Sequence, residues 1–258
     1  MREKLISILI TNYNKEKFLK KSITSCLRQD FNKKEILIFD DCSTDGSKRI
    51  LKKFKKIKII FNKNKRYSSG PLNQIYGIKK LFKKSKGDLI FLLDSDDYFK
   101  KSKIKTISKI FNKNNNLKFI QDKPFSTKEK KIIKLKHKTH LFSIWPSFYP
   151  TSCIAIKRDF FLKFLRYSES QKFPNLEIDA RLCIFVFLIK SFFVLQKSLT
   201  FYNFDHSGIT SNYKKYTFNW WKKRNEAYDY MKILMYKFKI KFKPGPDYYL
   251  TKVINFFI

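Results

Sequence analysis

Four short runs rich in Ile, Leu and Phe, "LISILI" (5–10), "EILIF" (35–39), "IKIIF" (57–61) and "DLIFLL" (88–93), recur through the first hundred residues. The first has the pattern of a strand buried on both faces, the second reads as another buried strand, and the other two as a third and fourth strand. Between them lie helical patterns. Leu19, Ile23, Cys26 and Leu27 share one face, "STDGSKRILKKF" opens with Ser and Asp able to accept from free helical N–H groups, and 72–84 continues the alternation. Strand then helix, repeated, predicts an α/β unit with a mainly parallel, Rossmann-like sheet flanked by helices.

The second half is less regular. "LFSIWPSFYPTSCIAIKRDFF" mixes aromatic residues and prolines before a strand and a helix, and "NLEIDARLCIFVFLIK" predicts a helix beginning near Leu176. "KSLTFYNFDHSGITSN" reads as a strand followed by a polar loop, and Tyr213–Tyr236 as a long amphipathic helix. The lysine-dense stretch 123–138 is expected in an exposed connection. Three divisions follow: a ligand-binding half (1–122), a second half of the same domain (123–212) and a C-terminal helical extension (213–258).

Composition narrows the partners. Lysine and arginine number 57 against 21 acids, a formal charge of +36 in 258 residues. The lysines are spread along the chain, as compositional drift would leave them, yet the field still favours anionic ligands. Cys26, Cys42, Cys153 and Cys183 show no metal-ligand spacing and read as reduced thiols. "LCIFVFLIKSFFVL" (182–195), with Lys190 inside it, falls short of the roughly 20 apolar residues needed to span a bilayer. The first apolar run is too short for a signal peptide. The expectation is a cytoplasmic protein, at most peripheral to the inner face of the membrane. The basic, aromatic segment with Trp220, Trp221, Lys222, Lys223 and Arg224 either rests on an anionic leaflet or packs with a solvated lysine face.

The strands end in polar clusters: "TNYN" after the first, "DDCSTD" after the second, "DSDD" after the fourth. In open α/β sheets ligands bind beyond the carboxyl ends of the strands. A solvated turn or a helix N-terminus explains any one cluster; three on one edge suit a nucleotide crevice. Six acids, Asp40, Asp41, Asp45, Asp94, Asp96 and Asp97, sit in two of these windows. Carboxylates so close raise one another's pKa unless a cation intervenes, and Mg²⁺ characteristically bridges one or two carboxylates to substrate phosphates.

The ordered set "ISILITNYNKEKFLKKSITSCLRQDFNKKEILIFDDCSTDGS" and "KGDLIFLLDSDDYF" resembles the family 2 glycosyltransferases of the GT-A fold, densely over 5–54 and 86–100 and more loosely to about residue 210. The resemblance implies an inverting, metal-dependent transferase moving one sugar from a nucleoside diphosphate donor, with UDP as the expected nucleotide, to a glycan or lipid-linked glycan of bacterial surface polysaccharide. It implies that Thr11 and Tyr13 hold and stack on the base, that Asp40 accepts from the base imide, and that Asp94 reaches the ribose. Asp96 becomes the main ligand of Mn²⁺ or Mg²⁺, with Asp97 assisting and His206 a further candidate. Asn73 matches a donor-binding Asn. Three departures stand out: Ile10 where proline is more usual, Cys42 where glycine is, and Leu72 in place of an arginine.

Inverting transfer needs a base for the acceptor hydroxyl. By resemblance it lies in an acidic pair at a late helix start, and "PNLEIDARL" offers Asp179, with Glu177 second; the same acids also suit a helix N-terminus. Trp145, Trp220 and Trp221 are candidates for sugar stacking, Trp220 and Trp221 being better suited to packing or membrane contact. The Q-x-x-R-W set of processive synthases is missing, which favours single-sugar addition. Competing readings are a nucleotidyltransferase or degenerate nucleotide-binding module on the same fold, and a nucleic-acid-binding protein. The last conflicts with acids on the ligand edge, so no nucleic acid partner is expected.

Overall fold

The computed structural model describes residues 4–135, 147–168, 171–191, 193–204, 208 and 213–257. Strands β1 (Ile6–Asn12), β2 (Lys34–Asp40), β3 (Lys58–Phe61) and β4 (Leu89–Asp94) form the parallel half of one sheet in the order β3-β2-β1-β4. Ile10 lies opposite both Ile38 and Leu93, so the polar ends of β1, β2 and β4 reach the same edge in register. Because side chains alternate along a strand, Ile6, Ile8 and Ile10 face one layer. There they meet Leu19, Ile23 and Cys26 of α1 (Glu16–Leu27) and Ile104, Ile107 and Phe111 of α4 (Lys103–Lys113). Leu9, Leu37 and Phe39 face the other layer, against Ile75, Ile78 and Leu81 of α3 (Gly70–Lys84). The short α2 (Ser47–Lys52) starts where Asp45 Oδ1 accepts from the Ser47 N–H (2.9 Å).

The second half of the sheet is mixed. β8 (Ile154–Lys157) runs antiparallel to β4 and to β6 (Phe119–Ser126). β9 (Val194–Tyr202) is parallel to β6, and β5 (Tyr98–Phe99) closes the edge against β9. The lysine-rich stretch expected in a connection starts inside this sheet. Residues 123–126 belong to β6, with register shifts around Lys123 that accommodate Pro124, and β7 (Lys131–Ile132) pairs back onto it. Pairing on both sides of β6 overrides a composition that reads as exposed.

α5 (Arg158–Ser168), α6 (Ile178–Leu188) and α7 (Phe218–Lys237) complete the layer that α3 begins. α6 is buried almost all round, which accounts for its membrane-like sequence: it is an interior helix, and the run then breaks at Lys190, in left-handed backbone (φ 52°). Among the described residues no helix is long and apolar enough to cross a membrane. Ala227, Tyr230, Met231, Leu234 and Met235 of α7 join the main core, whereas α8 (Pro246–Phe257) rests on α7 with only Thr251 buried. All four cysteines are free, and Cys26, Cys153 and Cys183 are buried.

One buried ion pair braces the two halves. Lys103 Nζ lies 2.8 Å from Asp122 Oδ1 with both side chains fully buried, and it also donates to the Ser152 carbonyl (2.6 Å) and to Thr200 Oγ1 (2.6 Å). Ser152 in turn accepts from the Asp94 N–H at the end of β4 (3.0 Å). Lys103→Met strands the Asp122 carboxylate and is expected to cost about 3–5 kcal/mol, read as a lower urea midpoint. The double change Lys103→Met/Asp122→Leu should recover most of the loss, since an apolar pair needs no compensating charge.

Candidate active site

The strand ends meet in a cavity of about 490 Å³. Its walls include Thr11 at the end of β1 with Tyr13 and Lys15 beyond it, Asp41 after β2, Asp94 at the end of β4 with Asp96 beyond it, and Asp179 in the first turn of α6. Asp94 is held from three sides: Thr11 Oγ1 (3.2 Å) and Gln74 Nε2 (2.8 Å) donate to Oδ1, and the backbone N–H is fixed by Ser152. Asp96 Oδ2 lies 3.2 Å from Lys15 Nζ. Asp179 Oδ1 accepts from the Ala180 N–H (2.7 Å). The loop leading to Asp179 is clamped by the buried guanidinium of Arg181, which donates to the carbonyls of Ser168 (2.7 Å), Phe173 and Leu176 (2.9 Å). Glu177, beside Asp179, pairs with Lys223 of α7.

Burial, and then the negative charges of Asp96 and Asp179, push the Asp94 carboxyl up to about 7. Asp179 is also pushed to about 7, by burial and then by Glu177, with Lys223 pulling the other way. Asp94, Asp96 and Asp179, with Asp41 and Glu177 on the same walls, therefore carry an electrostatic cost that a cation relieves. Asp94 and Asp96 offer hard oxygen donors of the kind Mg²⁺ and Mn²⁺ prefer, and such ions complete their shells with water and substrate phosphates. Among the described residues no group of three or more His, Cys, Asp or Glu side chains is arranged to hold a metal alone. The donor set fits an ion shared with a phosphorylated ligand.

Several expected site residues sit elsewhere. Asp40 is fully buried and is not in the cavity wall: Asn12 Nδ2 (2.7 Å) and the Ser43 N–H (3.2 Å) occupy its oxygens, so it braces the turns after β1 and β2. Its neighbour Asp41 faces the cavity instead, steadied by Asn62 Nδ2 (2.9 Å). Asp97 is 1% exposed and outside the cavity, and its Oδ1 accepts from the Asn203 N–H (2.8 Å). Burial with Asp96 and Asp94 alongside holds its carboxyl well above the usual range. Through Oδ1 it ties the turn after β4 to the end of β9. Asn73 lines the cavity, but both its amide atoms are taken by the Tyr67 backbone, which makes it a loop clamp. Trp145 and His206 lie outside the described residues.

Cys42, where a glycine was the expectation, keeps the left-handed turn (φ 60°) at a steric cost of roughly 1–2 kcal/mol. Tyr13 is 43% exposed, with Lys65 Nζ 3.6 Å from its ring centre. Lys15, Lys65, Gln74, Asn203 and Lys223 are wall residues to which the motifs gave no role at the site. Gln74 stands next to Asn73 near the start of α3, but nothing local in α7 marks Lys223.

The raised Asp179 carboxyl has a measurable sign. Its folded pKa (about 7) exceeds the ordinary 3.8, so the stability it contributes is present below about pH 4 and lost as pH rises through about 7. In metal-free buffer Asp179→Asn should therefore raise the melting temperature more at about pH 8 than at about pH 5. An equal gap at both pH values would contradict a raised carboxyl.

The sequence profile of the family described as glycosyl transferase family 2 matches residues 7–167. The poly(ribitol-phosphate) β-N-acetylglucosaminyltransferase TarS of Staphylococcus aureus is 31% identical over 102 residues, 38% of this chain and 17% of that protein. Its fragment 1–349, solved in complex with UDP, superposes with a TM-score of 0.62 at 16% identity, covering 88% of this chain and 65% of that one. The Escherichia coli UDP-Glc:α-D-GlcNAc-diphosphoundecaprenol β-1,3-glucosyltransferase WfaP is 38% identical over 100 residues, 39% of this chain and 38% of that protein. The Pyrobaculum calidifontis mannosyltransferase PcManGT, in complex with GDP-Man and Mn²⁺, superposes with a TM-score of 0.59 at 11% identity, covering 96% of this chain and 67% of that one. Aligned stretches thus span less than half the length of these curated relatives, and the structural likeness establishes the GT-A fold. With more than half of its length matched by the profile, the chain belongs to glycosyl transferase family 2.

Proposed function

We propose that the chain transfers a single sugar, with inversion, from a nucleoside diphosphate donor to a glycan or lipid-linked glycan of bacterial surface polysaccharide. The observation that carries this reading is the convergence of Asp94, Asp96 and Asp179 on one cavity that also holds Tyr13 and Asp41. Residues 1–122 would hold the donor and 123–212 the acceptor side. Tyr13 offers a ring for the base to stack on, and Asp41, which lines the cavity where Asp40 does not, would accept from a base N–H. UDP and GDP both present such a donor, and both occur in the structures that superpose. Thr11 and Gln74 orient Asp94 towards the ribose and diphosphate.

Mn²⁺ or Mg²⁺ bound at Asp96, with Asp94 beside it, would offset the charge that grows on the departing diphosphate. Asp179 takes the proton as the acceptor oxygen attacks the anomeric carbon from the face opposite the leaving group. A base with a pKa near 7 is suited to this, being half ionised at neutral pH yet still basic enough to receive a proton. Glu177, paired with Lys223, keeps a negative charge near Asp179 and so sustains that basicity.

Incubation with Mn²⁺ and a panel of UDP- and GDP-sugars, with released nucleotide as the readout, tests the reading. Turnover should rise as pH increases through about 7, as Asp179 loses its proton. Asp179→Asn should retain donor binding and lose roughly 10²–10⁴-fold in kcat. Normal transfer by that variant would remove Asp179 from the mechanism, and cleavage of nucleoside triphosphates in place of nucleotide sugars would favour a nucleotidyltransferase.

A further inference from the structure

The exposed large apolar side chains are not spread evenly. Tyr216, Phe218, Ile233, Tyr236, Tyr249, Leu250, Val253, Phe256 and Phe257 all lie in α7, α8 or the turn before α7. On α8 the last five recur at i, i+1, i+4, i+7 and i+8, which is one stripe of a helix. The opposite stripe packs on α7. Asp247 accepts from Arg224 and from Tyr228 Oη, Arg224 Nε donates to Thr251 Oγ1 (3.1 Å), Lys252 Nζ reaches Asp229 (2.7 Å), and Asn255 Nδ2 donates to the Trp221 carbonyl (3.1 Å). These contacts set α8 antiparallel to α7 and turn its apolar stripe away from the protein. Phe256 and Phe257 are 84% and 78% exposed.

Positive charge borders the stripe at both ends. In the connection to α8, Phe238, Ile240 and Phe242 turn inward against the core while Lys239, Lys241 and Lys243 are exposed. Exposed Lys214, Lys215 and Lys222 flank Tyr216 and Phe218 at the other end. Residues 213–258 contain eleven lysines and arginines and three acids. All three acids are engaged, Glu226 by Asn175, Asp229 by Lys252 and Asp247 by Arg224. Two copies of such a face would set lysine against lysine, which disfavours a two-fold dimer. An anionic bilayer satisfies both features at once, taking the aromatic stripe at the headgroup boundary and the lysines at the lipid phosphates.

We propose that the outer face of α8, with the lysines at its two ends, docks on an anionic membrane surface. The sequence places such a contact on Trp220 and Trp221. Those rings are half-buried, packed edge to face on each other (4.6 Å), with Arg224 over Trp220 (5.1 Å), and the outward face belongs to α8. The last turn of α8 lies beside Trp221 at the start of α7. The contact does not depend on the transfer chemistry and is measured without it.

Sedimentation of the whole chain with vesicles of phosphatidylcholine alone, or containing roughly one-third phosphatidylglycerol, at moderate salt tests this. Binding to the anionic vesicles only is expected. The charge-preserving variant Leu250→Ser/Val253→Ser/Phe256→Ser should lower the partition coefficient by roughly tenfold or more with an unchanged melting temperature. Phe256→Ser alone, at a site 84% exposed, gives the same direction without risk to folding. Three results would overturn the proposal: no pelleting of the wild type, equal pelleting of the variants (binding by net charge alone), or a wild-type dimer that the serine changes convert to monomer.

Discussion

Like-charge repulsion at the carboxyl edge of the sheet is what the site has to contain. Asp94, Asp96 and Asp179 share one cavity, and in the absence of a cation two of them are held near a pKa of 7. A mobile loop would let such groups move apart. Here β4 fixes Asp94 between Thr11, Gln74 and Ser152, and the Arg181 clamp fixes the start of α6 beneath Asp179. The buried Lys103–Asp122 pair ties β6, β9 and the Ser152 turn behind them. Rigidity so placed holds the carboxyls together in spite of their repulsion, as preorganised charge at a site requires.

Much of the parallel half was legible because β1, β2 and β4 are largely buried and leave apolar runs, while β3, part-exposed at the sheet edge, still keeps three apolar residues in four. The runs at 5–10, 35–39, 57–61 and 88–93 became β1, β2, β3 and β4 with shifts of one or two residues at their ends. The second half was harder for a physical reason. β6 contains Lys123 and Pro124 and is stabilised by partners more than seventy residues away in sequence, so its local pattern carries little of the signal. The C-terminal helical extension expected over 213–258 contains two helices, α7 and α8, of which only the first was given bounds from its pattern.

The site divides along the same line. Asp94, Asp96 and Asp179 lie around the cavity, as motif and resemblance had them, because their position follows from strand ends and a helix start. Asp41 rather than Asp40 lines the cavity because alternation at the end of β2 decides which neighbour faces it, and Asp97 points inward from the turn after β4; a motif alone specifies neither. Asn73 serves the Tyr67 backbone, a contact within the loop that residue identity cannot reveal. Lys223, far along the chain, approaches only because α7 packs against α6.

The central claim is that the clustered carboxylates grip a divalent ion and, through it, a diphosphate. Calorimetric titration of UDP into the wild type and Asp96→Ala, with Mn²⁺ and with a chelator, addresses it most directly. The account predicts UDP binding that needs Mn²⁺ and that weakens by roughly tenfold or more on loss of Asp96. Equal UDP affinity with and without the ion, and in the variant, would contradict it.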